Sequence, residues 1–167
     1  FDDISQSLQN ILANKVEELK QTVSLMDNDQ LPVILKEILN ARSVQFVAVG
    51  NTIPVAIDGT FKFNQIGILA VSSTIWETQV GHIYNLSKDD IVIAISNSGE
   101  WRGVITAMEA AKEVGAKTIS ITNNENSTVA KASDYHITTA TREKLFLDGY
   151  CFSRVSATTV IEILYLF

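Results

Sequence analysis

The feature that most constrains this chain is a set of five short, largely apolar runs, Val44–Val49, Ile66–Val71, Ile91–Ile95, Thr118–Ile121 and Tyr135–Ile137. A strand that is solvated on one face alternates apolar and polar residues, whereas a strand covered on both faces reads as a near-continuous apolar run. Segments of helical pattern fit between the runs: Pro54–Phe63, Ile75–Leu86, Trp101–Val114 ended by Gly115, a short one near Ser127–Lys131, and a last one from Leu145 to the end. Strands alternating with crossover helices predict the α/β class, with a five-stranded parallel, doubly wound sheet and helices on both faces.

Two helices are expected ahead of that sheet. From Ile4 to Met26 the apolar residues Ile4, Leu8, Ile11, Leu12, Val16, Leu19, Val23 and Met26 recur at steps of three and four, the signature of one helical face that must pack on something. Asp29 is placed to cap a second helix, with Pro32 in its first turn, running to Arg42 and Ser43. The expected organisation is one structural domain, with helices over 1–43 packing on, or swapping with, a core over 44–167.

The length of 167 residues suits one buried core rather than two. A net charge of −6 argues against direct grip on a nucleic-acid backbone, which needs clustered Lys and Arg. The single Cys151 cannot form an intramolecular disulfide, and the longest apolar stretch is interrupted by Arg154 and Glu162, so a cytoplasmic setting and no membrane segment are expected. The chain starts at Phe1 and ends at Phe167 inside an apolar helical pattern, and both ends read as cuts through a longer polypeptide.

Ligands of such sheets bind beyond the carboxyl ends of the strands. The third run ends in Ser96-Asn97-Ser98-Gly99-Glu100 and enters a helix, bringing two hydroxyls, a glycine backbone and helix N–H groups into one turn. Such N–H groups carry partial positive charge and hold an anion without Lys or Arg, which makes phosphate the natural guest. The first run ends similarly in Gly50-Asn51-Thr52, with Thr52 able to cap the next helix and Pro54 preset in its first turn. Each loop alone is equally readable as a turn and a cap; the two together favour an anion site.

The run Ile95-Ser96-Asn97-Ser98-Gly99-Glu100 resembles the Ser-x-Ser-Gly-Glu-Thr phosphosugar signature of the sugar isomerase (SIS) domain. The similarity extends to Val47–Thr52, to Gly115–Asn123 and to Ser127–Tyr135, and the helical pair before the first strand and Ser153-Arg154 near the last helix resemble RpiR-type bacterial regulators. The resemblance implies a flavodoxin-like SIS fold that senses a sugar phosphate, without catalytic residue, metal or cofactor. It also implies a homodimer or higher homo-oligomer that meets DNA only through a helix-turn-helix missing from this chain. By analogy Ser96, Ser98, the Asn97 and Gly99 backbone and Thr52 would hold the phosphate, with Asn51 and residues around Asn123 edging the sugar and Gly50 counted among the ligand-binding residues of the first loop. Trp101 stands where the signature expects threonine; it either stacks on a sugar face, narrows the pocket toward another ligand, or fills a site that has stopped binding phosphate. Two other functions stay open: a single-domain isomerase similar to 6-phospho-3-hexuloisomerase, and a degenerate domain used for oligomerisation.

His82 and His136 lack partners at metal-ligand spacing and read as structural. Trp76 reads as packing, and Asp2-Asp3 and Asp89-Asp90 as solvated loop charges. Glu143, Lys144 and Asp148 read as surface residues in a region that SIS proteins bring near a neighbouring subunit's site.

Overall fold

The computed structural model describes residues 3–141 and 154–167. The chain opens with α1 (Ile4–Ser24) and α2 (Gln30–Asn40) and then alternates β1 (Ser43–Ala48), α3 (Ile53–Gln65), β2 (Ala70–Val71), α4 (Trp76–Ile83), β3 (Asp90–Ile95), α5 (Arg102–Glu113), β4 (Lys117–Thr122), α6 (Thr128–Ala132), β5 (Tyr135–Thr138) and α7 (Val155–Leu166). The five strands form one parallel sheet in the order β2-β1-β3-β4-β5. This is the expected doubly wound architecture. The expectations for Glu143, Lys144, Asp148, Cys151, Ser153, Asp2 and the start of the last helix at Leu145 lie outside the described residues.

Strand alternation divides the core. Val44, Phe46 and Ala48 of β1, Ile91, Ile93 and Ile95 of β3, and Ile119 and Ile121 of β4 point to the face covered by α2, α3 and α7. Val47, Val92 and Ala94 point to the opposite face, against α4, α5 and α6. All six residues of β3 are buried, which explains why its sequence shows no polar alternation. Across the three central strands Ala48, Ile95 and Ile121 are successive register partners, so the loops after β1, β3 and β4 leave the sheet at one level.

Four expectations need correction. The run Ile66–Val71 yields only two strand residues, because α3 continues through Gln65 and its C-terminus takes the next three: the N–H groups of Gly67 and Ile68 return to the carbonyls of Asn64 and Phe63. Asp29 does not cap α2 with its side chain; Asp27 does, its Oδ1 accepting from the N–H groups of Asp29 and Gln30 at 2.8 and 3.0 Å. Thr52 does not cap α3, since residues 50–52 form a 3-10 turn running into the helix and the Thr52 hydroxyl donates to the Val49 carbonyl at 2.8 Å.

Asp90, finally, is no solvated charge. It is fully buried at the amino end of β3, where its carboxylate accepts from Arg42, from the Ser43 hydroxyl and from the Ser87 N–H. Burial pushes this carboxyl up, but the bonds from Arg42, Ser43 and Ser87 outweigh it and hold it below the usual carboxylate range. A depressed folded-state value stabilises the protein above the unfolded-state value of about 3.9 and loses that contribution as pH falls through the folded one. Asp90→Asn is therefore expected to lower the urea midpoint at pH 7, with the gap to wild type narrowing as the series descends from about pH 5 into acid. A gap that stays constant to pH 3 would show that the charge of Asp90 contributes nothing.

Candidate functional site

The loop after β3 is built by its own side chains. Ser96, almost fully buried, accepts from the Gly99 N–H through Oγ at 3.1 Å, and the exposed Ser98 accepts from the Glu100 N–H at 3.2 Å. Acceptance uses an oxygen lone pair and leaves each hydroxyl hydrogen to donate elsewhere. Gly99 has φ +67°, and a Cβ there would fall 2.2 Å from the Ser127 Oγ, so both its backbone conformation and its neighbour demand glycine. Behind it the Ser127 hydroxyl caps α6, the Gly99 carbonyl accepts from the Val129 N–H, and the Asn97 carbonyl accepts from the Asn123 N–H at 2.8 Å. The loops after β3 and β4 are thus one hydrogen-bonded unit, and the Asn123 side chain is tied to the Thr139 hydroxyl at 2.7 Å.

Three features shape the electrostatics. The N-cap of the twelve-residue α5 is Trp101, whose side chain makes no capping hydrogen bond, and the partial positive charge of that terminus faces the serine loop. The Glu100 carboxylate turns to the neighbouring element instead, accepting from the hydroxyl and N–H of Thr128 at 2.7 and 2.8 Å. Those bonds hold it below the usual carboxylate range, hence ionised and engaged at the start of α6. The third feature is Arg154, whose exposed guanidinium donates to the Asn51 carbonyl at 3.5 Å and brings a cation to the loop after β1.

Gly50, Asn51, Thr52, Ser96, Asn97, Ser98, Gly99 and Asn123 accordingly line the carboxyl ends of adjacent strands β1, β3 and β4, while Trp101 stands at the rim, 46 % exposed. Two elements have no local sequence signal. The Glu100–Thr128 link joins residues 28 positions apart. The other is Gln79 of α4, fully enclosed, whose side-chain amide pairs with both the N–H and the C=O of Ala48 at 3.0 and 2.8 Å and donates to the Ser73 carbonyl at 2.8 Å. Because β2 stops at Val71, opposite Gln45, the free edge of β1 beyond that point has no strand beside it, and this amide takes the strand's place. Arg154 was visible only as part of the Ser153-Arg154 resemblance.

The histidines stay out of the crevice. His136 sits on β5 with Nε2 2.8 Å from the Thr122 hydroxyl, which itself donates to the Asn124 carbonyl; the imidazole therefore donates from Nε2. Burial lowers its pKa, with Glu125 opposing. It borders a separate cavity of about 310 Å³ between the edge of β5 and the turn from Leu25 to Leu31. Among the described residues no cluster of His, Cys, Asp and Glu could hold a metal ion, and no helix is long and apolar enough to cross a membrane.

A doubly wound parallel sheet with a serine-glycine loop opening a helix at its carboxyl edge is an α/β domain of the kind that takes ligands beyond its strand ends. Residues 37–167 match the SIS domain family, and the chain belongs to it. It is 31% identical over 165 residues to an uncharacterized HTH-type transcriptional regulator of Caldanaerobacter subterraneus, covering 99% of this chain and 58% of that protein. The chain spans about three fifths of the length of the curated regulators it matches. The fold is shared with the sugar isomerase domain of an RpiR transcription factor from Sphaerobacter thermophilus (TM-score 0.88, 24% identity, 97% of this chain and 89% of that one). It is shared also with the Vibrio vulnificus NanR protein complexed with ManNAc-6P (TM-score 0.88, 22% identity, 98% and 62%). A Methanococcus jannaschii protein whose structure was read as a 3-hexulose-6-phosphate isomerase has the same fold (TM-score 0.77, 18% identity, 94% and 88%), so the fold serves regulators and enzymes alike.

Replacing Gln79 by Leu keeps the apolar volume and leaves the Ala48 N–H and C=O without partners. The expected cost is about 2–6 kcal/mol in urea unfolding, from roughly 1–3 kcal/mol for each of the two buried groups left unsatisfied. A loss under about 1 kcal/mol would mean that β1 closes its edge without this amide.

Proposed function

We propose that this domain is the effector-sensing part of a cytoplasmic RpiR-type regulator and binds a sugar phosphate in the crevice beyond β1, β3 and β4. The observation that carries the reading is the serine loop itself, two hydroxyls with hydrogens to donate, set before a helix N-terminus whose N-cap residue, Trp101, makes no capping bond. The Ser96 and Ser98 hydroxyls and the α5 terminus hold the phosphate, Asn51 and Asn123 edge the sugar, and Arg154 adds the cation that the loops lack; Thr52, buried and donating its hydroxyl hydrogen to the Val49 carbonyl, is left as a support of the first loop rather than a phosphate donor. A structural neighbour carrying ManNAc-6P, and relatives named as regulators, support the ligand class and the role. DNA contact falls to a helix-turn-helix of the longer protein, in keeping with the net charge of −6 here.

Isomerisation is less well supported. It needs a base poised over adjacent sugar carbons, and the carboxylate next to the phosphate loop is held ionised at the start of α6 by Thr128, which weakens it as a base.

Assembly is read from α1. Every residue from Asp3 to Asn14 is exposed, and Ile4, Leu8, Ile11 and Leu12 are each more than half exposed. The C-terminal half docks instead through Glu18 and Thr22, the Thr22 hydroxyl accepting from the Ala140 N–H. A helix that buries polar residues at home and presents an apolar stripe to solvent is completed by the same stripe on a second copy, which supports the swapped arrangement over packing within one chain.

Two measurements test these readings. In calorimetric titration against a panel of sugar phosphates, one compound is expected to bind saturably and to lose about tenfold in affinity in Ser98→Ala, the equivalent of one charge-assisted hydrogen bond of roughly 1.5 kcal/mol. Absence of binding by every member of the panel would sink the sensor reading. In sedimentation equilibrium the domain is expected to be dimeric, and the double substitution Leu8→Glu with Leu12→Glu to yield a folded monomer; a wild-type monomer at about 100 μM would refute the α1 interface.

A further inference from the structure

Two indoles meet at the rim of the crevice. Trp76 opens α4 and Trp101 immediately precedes α5; their ring centroids lie 5.0 Å apart with planes at 83°. Trp76 is partly buried against the core beneath α4 and α5, whereas Trp101 keeps nearly half its surface in solvent. A partly buried aromatic partner and a surface nearly half in solvent make Trp101 a braced ring rather than a core residue.

Gly103 supplies the seat. A Cβ built there would lie 2.1 Å from Cζ3, 2.6 Å from Cη2 and 2.7 Å from Cε3 of Trp101. A point off the ring's edge at that distance from Cζ3 would lie farther from its two neighbours, so the near-equal values put the glycine over the face of the six-membered ring. Glycine inside a helix costs stability relative to alanine, and here it gives the indole room to lie against the first turn of α5. The position that carries threonine in the signature thus carries a ring seated on main chain and in T-shaped contact with a second indole.

Trp101 is two residues beyond Gly99, so its Cα lies within about 7.6 Å of the phosphate loop, comparable to the span of a sugar ring esterified to a phosphate. The loops offer hydroxyls and amides to sugar hydroxyl groups; the braced indole offers a flat apolar plate. The C–H bonds on one face of a pyranose carry slight positive charge and meet the negative face of an aromatic ring, while an open-chain polyol presents no such flat face. We propose that Trp101, braced by Trp76 and seated on Gly103, is a stacking subsite that selects cyclic hexopyranose phosphates over open-chain sugar phosphates. The proposal rests on the phosphate reading of the Ser96–Gly99 loop.

The test compares a panel of hexopyranose 6-phosphates, epimers and 2-acetamido forms included, with glucitol 6-phosphate, which has the carbons and phosphate of a hexose phosphate but cannot close a ring. Binding is read by calorimetry and tryptophan emission, with inorganic phosphate as a third probe. At least one pyranose phosphate is expected to bind about tenfold tighter than glucitol 6-phosphate and to perturb the emission. Trp101→Ala is expected to bring it down to the affinity of the polyol, Trp101→Phe to restore part of the preference, and Gly103→Ala, which displaces the ring without removing it, to reduce the same preference. Equal binding of ring and polyol by the wild type, or a tenfold preference kept in Trp101→Ala, overturns the subsite and leaves the phosphate reading standing. If neither inorganic phosphate nor any ester binds, both readings fall together.

Discussion

The crevice depends on three parallel strands ending at the same level. Ala48, Ile95 and Ile121 are partners across β1, β3 and β4, and each is followed within a residue or two by a loop that has left the sheet. In a parallel sheet every strand delivers its carboxyl end to one edge, so the backbone polar groups leaving the sheet concentrate there and must be met. Here they are met by cross-loop bonds: the Asn97 carbonyl by the Asn123 N–H, the Gly99 carbonyl by the Val129 N–H, and the Ala48 backbone by Gln79. These bonds tie the loops after β1, β3 and β4 to one another and to α4, so the backbone at the carboxyl edge is held from within the domain.

Side-chain amides stand in for strand where the sheet is short. β2 contributes two residues, and Asn64 pairs with the N–H and C=O of Ala70 much as Gln79 does with those of Ala48. Both amides come from helices flanking β2, so a nearly vestigial edge strand still holds its neighbour in register. A longer β2 would cover the edge of β1 that Gln79 occupies, and with it the route by which α4 is anchored to the loop after β1.

The layered architecture was legible because burial on both faces writes itself as apolar runs, and helix crossovers as three- and four-residue steps between them. The serine loop was legible for a related reason: hydroxyls, glycine and a helix start are adjacent in sequence. What escaped was non-local. Asp90 reads as a loop acid until Arg42, Ser43 and Ser87 are seen closing on it. Gln79 reads as one more polar residue on a helix, and Ile66–Leu69 as strand, because an apolar run does not say whether a helix terminus or a sheet will use it.

The apolar periodicity of α1 carries the same ambiguity one level higher. It demanded a partner for Ile4, Leu8, Ile11 and Leu12 and was silent on whether that partner was the same chain. The fully buried residues of α1 are Glu18 and Thr22, while Ile4, Leu8, Ile11 and Leu12 are each more than half exposed. Hydrophobic burial alone would have rotated the helix to put the leucines inward. That it is held the other way, with the Thr22 hydroxyl fixed to the backbone beyond β5, ties the orientation of the outward arm to the carboxyl edge of the sheet.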